Sequence, residues 1–553
     1  MFSKLMVPPE DTLHGGSRQR SRRMVQVSSH RSRSPKRCLV TEGHLRAWAL
    51  GKSSAGTVCE HIDNNPRMGF RNPAIDRVNG CGRSCDDGGI HRHLCKLVGG
   101  IGLDDFIGEI DGGSVNVYIR PVSLMRKFWS GNREKCIRAM GAEVPKTSAF
   151  WQGLLSSDAG ARMHRDHYKL RTCTIESLKH VIPIILHEDA GPYSKNRSTL
   201  LLQWGSLLGI GADFECRYLG FIRVKTSGDD VDNAAAAWDA VTKDFDLLWT
   251  GLDEDGEFIM PDVDEHSNAF GWRLCLTFGQ SDMEEIADWG CRCYRHGDEI
   301  CPFCRANRTH LPFTDLRDDA PWVPSRDAMD NDSFKARCLG NHLIRLQPYW
   351  SMWFVRLDSM HVIDHHGVCG IVCAGVLLEL VRNPSGLGAT VGDRLATINR
   401  ELKLYQSQRM VSSKFPAITR DMLCRGSGWA ELKGPLVKAA NTRHLTPFVA
   451  NMAATYAGAD EWGRLLVSVC NNLCKVHEIM YRNGFFFPPG EYVLFSQGVR
   501  GTSLDLMRLR TIAEDRGLLV FQITPKCHYF VHLMDQGLLI SGHRRVKKHP
   551  PRS

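Results

Sequence analysis

Carboxylates, imidazoles and thiols recur along this chain at spacings that suit metal ions. His187-Glu188-Asp189 closes an apolar run, Val181 to Leu186, that is rich in β-branched residues. A buried strand that ends in a carboxylate holds it rigid while the following loop leaves it open, which suits a metal ligand, so Asp189 is the first candidate. The competing assignment makes Glu188 and Asp189 solvated turn residues beside Ala190-Gly191-Pro192. Asp282 follows a second apolar run, Trp272 to Phe278, at the N-cap position of MEEIADW. A capping aspartate accounts for that position without any chemistry. Cys301-x2-Cys304 can turn both sulfurs toward one zinc ion, with Cys291, Cys293, His296 and His310 nearby, although two ordinary thiols on a turn would read the same way. Asp358-x2-His361, followed by Asp364, His365 and His366, puts an acid and an imidazole on one face of a helix start. There they could share a metal or bond each other, or be a cap and a buried histidine. His528-x3-His532 has the four-residue spacing that lets two imidazoles share a metal on a helix, and surface histidines are the slightly favoured alternative. Cys81-x3-Cys85-x5-His91-x-His93-x-Cys95 supplies a further set of ligand types without matching a finger spacing.

The elements that must position these groups follow from periodicity. Apolar runs predict strands at Val181 to Leu186, Thr199 to Leu208 and Cys216 to Lys225, with a turn at Ala190-Gly191-Pro192. Alanines and apolar residues at helical spacing predict a helix at Asn233 to Trp249, then a fourth strand at Trp272 to Phe278. Upstream, Val115 to Met125 reads as a short strand and Phe128 to Met140 as a helix. Downstream, Trp353 to Val381 reads as a short strand and a strongly apolar helix. Val391 to about Leu509 reads as mostly helical, an all-α insertion or second domain. Three strands, a helix and a fourth strand, with acids ending the first and fourth, is the order of an RNase H-like sheet. In that fold the fourth strand pairs beside the first, which would bring Asp189 and Asp282 together around two Mg²⁺ ions.

The chain has 553 residues, enough for several domains, and its 42% hydrophobic content supports a large core. No apolar run reaches the roughly 18 residues that cross a bilayer, and the start lacks a secretory apolar segment, so the expectation is a soluble intracellular protein with no membrane partner. Twenty cysteines in such a chain are expected to be thiols, some of them metal ligands, rather than disulfides. The net charge of +9 concentrates at the ends, in Arg18 to Arg23, His30 to Arg37 and His543 to Arg552. Such runs suit DNA phosphates or nuclear import, and a solvated tail explains them nearly as well. Residues 1–45 form a basic, Ser- and Pro-rich stretch expected to be disordered.

The ordered set IPIILHEDAGPYSK, GQSDMEEIADWG, CPFCRANRTHLPFTDLRDDAPW, RLDSMHVIDHHGV, LKGPLVKAANTRHLTPFV and TPKCHYFVHL resembles CACTA (En/Spm)-type DNA transposases and their dispersed derivatives, over roughly Val115 to Leu533. The resemblance implies an α/β chain with an RNase H-like mixed-sheet core, a CxxC insertion that binds zinc and a large all-α insertion. It implies the divisions 1–45 basic tail, 46–173 lead-in module, 174–381 core, 382–510 helical insertion and 511–553 C-terminal part of the core with a basic tail. Carried over, Asp189 and Asp282 are the first and second catalytic acids holding Mg²⁺ or Mn²⁺, Cys301 and Cys304 the CxxC, and Asp358 and His361 the DxxH. An alternative makes Asp358 the second acid. The third acid of the family, a glutamate beyond the terminal histidine motif, is missing: no glutamate follows His532, only Asp535, and Glu514 precedes the motif. The expectation is a DNA-binding, nuclear, transposase-like protein, possible as a homo-oligomer and impaired in strand cleavage, or else a non-catalytic nucleic-acid-binding remnant held by structural zinc.

Overall fold

The structure is a computed structural model, and it describes residues 107–108 and 115–535 apart from 157, 195–196, 210–216, 226–230, 262–270, 282–285, 287–296, 338–348, 384–385, 410–413, 425–427, 435–436 and 484–486. The Cys81 to Cys95 set, Asp282, Cys291, Cys293, His296 and both basic tails lie outside the described residues.

The fold is mixed α/β. A seven-stranded sheet has the order β1 (Ile107–Gly108), β2 (Val115–Ile119), β5 (Arg217–Lys225), β4 (Arg197–Ser206), β3 (Val181–Ser194), β6 (Arg273–Ser281), β7 (Val355–Leu357). Consecutive strands β3, β4 and β5 pair antiparallel, whereas β6 runs parallel to β3 and β7 parallel to β6. A parallel neighbour demands a long crossover, and the connection from β5 to β6 carries a helix, Val231–Thr250.

The apolar run of β3 is continuous because both faces of the strand are covered. Ile182, Ile184 and Leu186 point to one face and pack with Trp238, Val241, Phe245 and Leu248 of the crossover helix. Val181 and Ile185 point to the other, against Phe150, Trp151, Leu154 and Met163. Trp151 Nε1 donates to the Val181 carbonyl at 2.8 Å and ties that layer to the strand.

Upstream of β3 the longer helices among the described residues are α1 (Pro121–Gly131), α2 (Arg133–Met140), α3 (Val144–Leu155) and α4 (Asp158–Asp166). The strand expected through Met125 stops at Ile119. Pro121 occupies the first turn of α1, where its missing N–H costs no hydrogen bond, and the chain turns helical there. The turn expected at Ala190-Gly191-Pro192 is also absent, since β3 stays paired with β4 as far as Ser194 opposite Arg197. With the crossover helix as α5, the chain continues after β7 as α6 (Val368–Arg382), α7 (Val391–Gln408), α8 (Ala439–Tyr456), α9 (Glu461–Arg482), α10 (Pro489–Asp515) and α11 (Pro525–Asp535).

Helix α6 is the axis of this half. Every residue from Val368 to Val381 is buried, as expected of a helix that is apolar on all sides. With the turn before it, Met360–Arg382 is long and apolar enough to cross a membrane, contrary to the expectation that no stretch would be, yet nearly all of it lies inside the protein. Helices α8, α9 and α11 pack around α6. One hydrophobic core runs from Ile182 and Leu186 in the sheet to Leu377 in α6 and Phe530 in α11. All described residues from β1 onward therefore belong to one compact unit.

Candidate active site and candidate metal centre

The parallel pairing of β3, β6 and β7 ends in step. Glu188 of β3 is opposite Ser281 of β6, and Ser281 is opposite Leu357 of β7. Two hydrogen bonds lock the rim: Ser281 Oγ donates to the Glu188 carbonyl at 2.5 Å, and the Asp358 N–H donates to the Ser281 carbonyl at 3.1 Å. The residue that follows each of these three positions in the sequence is an aspartate: Asp189, Asp282 and Asp358. The C-terminal edge of parallel strands is where α/β sheets commonly present ligands, because the chain leaves the sheet there. Asp189 is within β3, not at a strand tip: beyond Glu188 the described pairing of the strand is with its antiparallel partner β4.

Asp358 is buried and its carboxylate is saturated. One oxygen accepts from the Met360 N–H at 2.9 Å and from Gln280 Nε2 at 3.2 Å. The other accepts from His361 Nδ1 at 2.7 Å and from His187 Nε2 at 3.3 Å. Burial works to raise its pKa, but the two imidazoles outweigh burial and hold it well below the usual carboxylate range. With Nδ1 committed to Asp358, the far nitrogen of His361 comes within 4.0 Å of Asp189 Oδ1. The Asp189 side chain keeps nearly half its surface in solvent, at 46%. Thus Asp189, His361 and Asp358 are brought together by the structure, with Asp189 open and Asp358 closed. His187 and Gln280 complete the set. The sequence carried a signal for His187, because residues two apart on a strand share a face and His187 precedes Asp189 by two. Gln280 carried none.

The DxxH segment does not start an ordinary helix. Met360–Asp364 makes one wide π-helical turn, closed by the His365 N–H bonding to the Met360 carbonyl at 2.8 Å, five residues back. Such turns are rare in proteins and frequent at functional sites.

A second cluster sits apart from the sheet rim. Cys301, Cys304, His528 and His532 are all buried, and their ligand atoms lie within 4.8 Å of one another, so the group could hold a metal. Cys304 Sγ is 3.2 Å from His528 Nε2 and 3.4 Å from His532 Nε2, and the two imidazole nitrogens are 3.2 Å apart. The slightly favoured surface placement of His528 and His532 is wrong: both face inward from α11, because the α11 face that carries them packs under Trp322 and Phe303. Burial opposes ionisation of Cys304, but the Cys301 thiol and the imidazoles of His532 and His528 outweigh it and favour the thiolate. The same thiolate and Asp535, overcoming burial, lift His532 to about 9. Asp535 accepts from His532 Nδ1 at 2.9 Å, the orienting contact that metal-bound histidines usually keep. The Ala306 N–H donates to Cys304 Sγ at 3.4 Å, and the Arg337 guanidinium holds the Cys301 carbonyl at 3.0 Å, so the CxxC turn is fixed from both sides. His310, a reserve ligand in the sequence, is exposed and outside this group.

Glu514, the upstream substitute for a third acid, is paired with Arg510 on α10 at 2.7 Å. No protein-family model matches the chain, and no curated protein matches it either.

Proposed function

We propose that this chain is an RNase H-like, transposase-like protein of the polynucleotidyl transferase class that cleaves and joins DNA strands with Mg²⁺ or Mn²⁺, with strand cleavage impaired by the lack of a glutamate on α11. The observation that carries this reading is the last parallel pairs of β3, β6 and β7, Glu188 with Ser281 and Ser281 with Leu357, each of these residues preceding an aspartate in the sequence. The pairing of β6 beside β3 supports it, since an RNase H-like sheet is expected to set its fourth predicted strand beside its first. Asp189 and Asp282 are the assigned metal ligands; when bound, the metal pair would activate the attacking hydroxyl and stabilise the leaving oxygen. Asp358, with four donors on its two oxygens, has no free lone pair directed at a metal and acts instead by fixing His361. That favours Asp282 over Asp358 as the second acid. His361, its Nδ1–H held by Asp358, directs its other nitrogen toward the same space as Asp189 and can bond a phosphate oxygen or a water there.

Zinc suits the second cluster. Thiolate and imidazole are its preferred ligands, and Zn–N near ~2.0 Å with Zn–S near ~2.3 Å sets tetrahedral edges of about 3.3 Å for N–N and about 3.5 Å for S–N. The separations of 3.2 to 3.4 Å among Cys304, His528 and His532 are close to those edges.

The test is nicking of supercoiled plasmid DNA, with Mn²⁺ and then Mg²⁺. Wild-type activity lost in both Asp189→Ala and Asp282→Ala is the expected result, and nicking that persists in Asp189→Ala overturns the assignment. One observation favours a second reading, a nucleic-acid-binding protein without cleavage. Helix α11 carries no glutamate, and its aspartate, Asp535, is already engaged by His532 and Arg326. That reading predicts salt-sensitive DNA binding with no nicking in any divalent metal.

A further inference from the structure

The turn that carries His361 is held in an unfavourable shape. Beyond its π-helical winding, His366 adopts a left-handed backbone with φ of 49°, which a residue with a Cβ seldom does. Any side chain at Gly367 would collide with the Val362 carbonyl, so the backbone folds back on itself there. Backbone of this kind persists only when its surroundings over-determine it.

The surroundings that do so come from far along the chain. Asp364, the last residue of the turn, is buried with one oxygen facing His477 Nε2 at 2.9 Å and the other facing Arg443 at 2.8 Å to Nε and 2.7 Å to the terminal nitrogen. Arg443 belongs to α8 and His477 to α9, so two helices close on one carboxylate. Arg443 also lies over the Tyr481 ring, 5.1 Å from its centroid, which limits its freedom. On the other side of the turn, Lys526 at the start of α11 donates to the His365 carbonyl at 2.7 Å.

Asp364, His477 and the nearby Cys369 are close enough to be a metal group. Two features argue for a clamp instead. The guanidinium fork occupies the second carboxylate oxygen and brings a positive charge where a cation would need ligands, and Cys369 lies 3.8 Å from His477 with its thiol kept protonated by burial and by Asp364.

We propose that Arg443 and His477 are positioning residues: by gripping Asp364 they hold the 360–364 turn in its π-helical form and so keep His361 between Asp358 and Asp189. This rests on the reading of Asp189 and His361 as part of the reacting site, and the experiment separates the two. In the full chain, wild type, Arg443→Gln, Arg443→Lys and His477→Gln are compared for Mn²⁺-dependent nicking, KM for DNA, zinc content and the imidazole ¹⁵N signals of His361, assigned by their loss in His361→Gln. Arg443→Gln is expected to slow nicking about 10- to 100-fold, the usual cost of losing an orienting partner, with KM little changed and the His361 signals shifted. Arg443→Lys, which keeps the charge but not the fork, should recover part of the rate, and His477→Gln, which keeps a donor, should fall between and serves if Arg443→Gln does not fold. His361 signals unmoved by both substitutions overturn the clamp. So does a second equivalent of zinc that Cys369→Ser removes. A wild-type chain that nicks no DNA defeats the functional reading, while the His361 signals still decide the clamp.

Discussion

A carboxylate taken out of water needs fixed donors, and Asp364 and Asp358 obtain theirs in different ways. Asp364 has a cation and an imidazole, and Asp358 has two imidazoles, an amide and a backbone N–H. For Asp364 burial pushes the pKa up, and His477 with Arg443 more than reverses it. The folded pKa is therefore below the unfolded value of about 3.9, so the contribution of this group is fully present above that value and is lost as pH falls from it through the depressed folded pKa. Urea titrations between pH 6 and pH 3, conditions chosen to bracket that ordinary value, should show wild-type stability dropping at the acid end and Asp364→Asn showing a shallower drop. Replacing Arg443 with Met, which leaves Asp364 charged beside His477 alone, should cost about 3–5 kcal/mol in the same measurement. At this scale the sequence was partly legible. Asp358 and His361 announced themselves by their spacing, because three residues apart on a turn is a local relation. Gln280, Arg443 and His477 did not, since their partners are 78, 79 and 113 residues away and no local pattern encodes such a pairing.

At the level of elements, the strands β3 to β6 and the crossover helix were readable because each carries its own apolar periodicity. The lower half of β3 was misread: Gly191 and Pro192 are turn formers in isolation, yet pairing with β4 carries the strand past them. Helix α11 shows the opposite case, a short helix whose histidines could face either way until its neighbours are known. With zinc in the Cys301, Cys304, His528 and His532 group as proposed, its chelation, or Cys304→Ser, should detach α11 from the CxxC turn and lower unfolding free energy by at least about 3 kcal/mol, read by denaturant titration together with zinc content of one equivalent in the wild type. Close packing elsewhere is equally specific. A Cβ at Gly375 of α6 would overlap the Phe521 ring, and one at Gly501 of α10 would overlap the Asn472 side chain of α9. Gly375→Val should therefore destabilise by about 1–3 kcal/mol through overpacking, measured by the same titration.

For the whole molecule, charge is the property that sets its encounter with partners. The basic runs at Arg18 to Arg23, His30 to Arg37 and His543 to Arg552 would neutralise phosphates and release counterions, so DNA affinity should fall steeply as salt rises. Deleting both tails should flatten that salt dependence in a fluorescence-anisotropy titration, and an unchanged slope would place the binding surface outside the tails. The helical half could not be assigned from periodicity to the same body as the sheet, because apolar stripes say that a helix is covered without saying by what. The continuous core from Ile182 to Phe530 supplies that missing partner.

Cys304 and His528 stand 224 residues apart. A ribosome emits the strands, the crossover helix and the CxxC turn well before the histidines of the candidate metal set, so the nascent polypeptide must carry bare thiols through a long stretch of its synthesis. Messages that stop short of α11 would release chains with a finished sheet and an unclosed seam, natural clients for holdases and proteases.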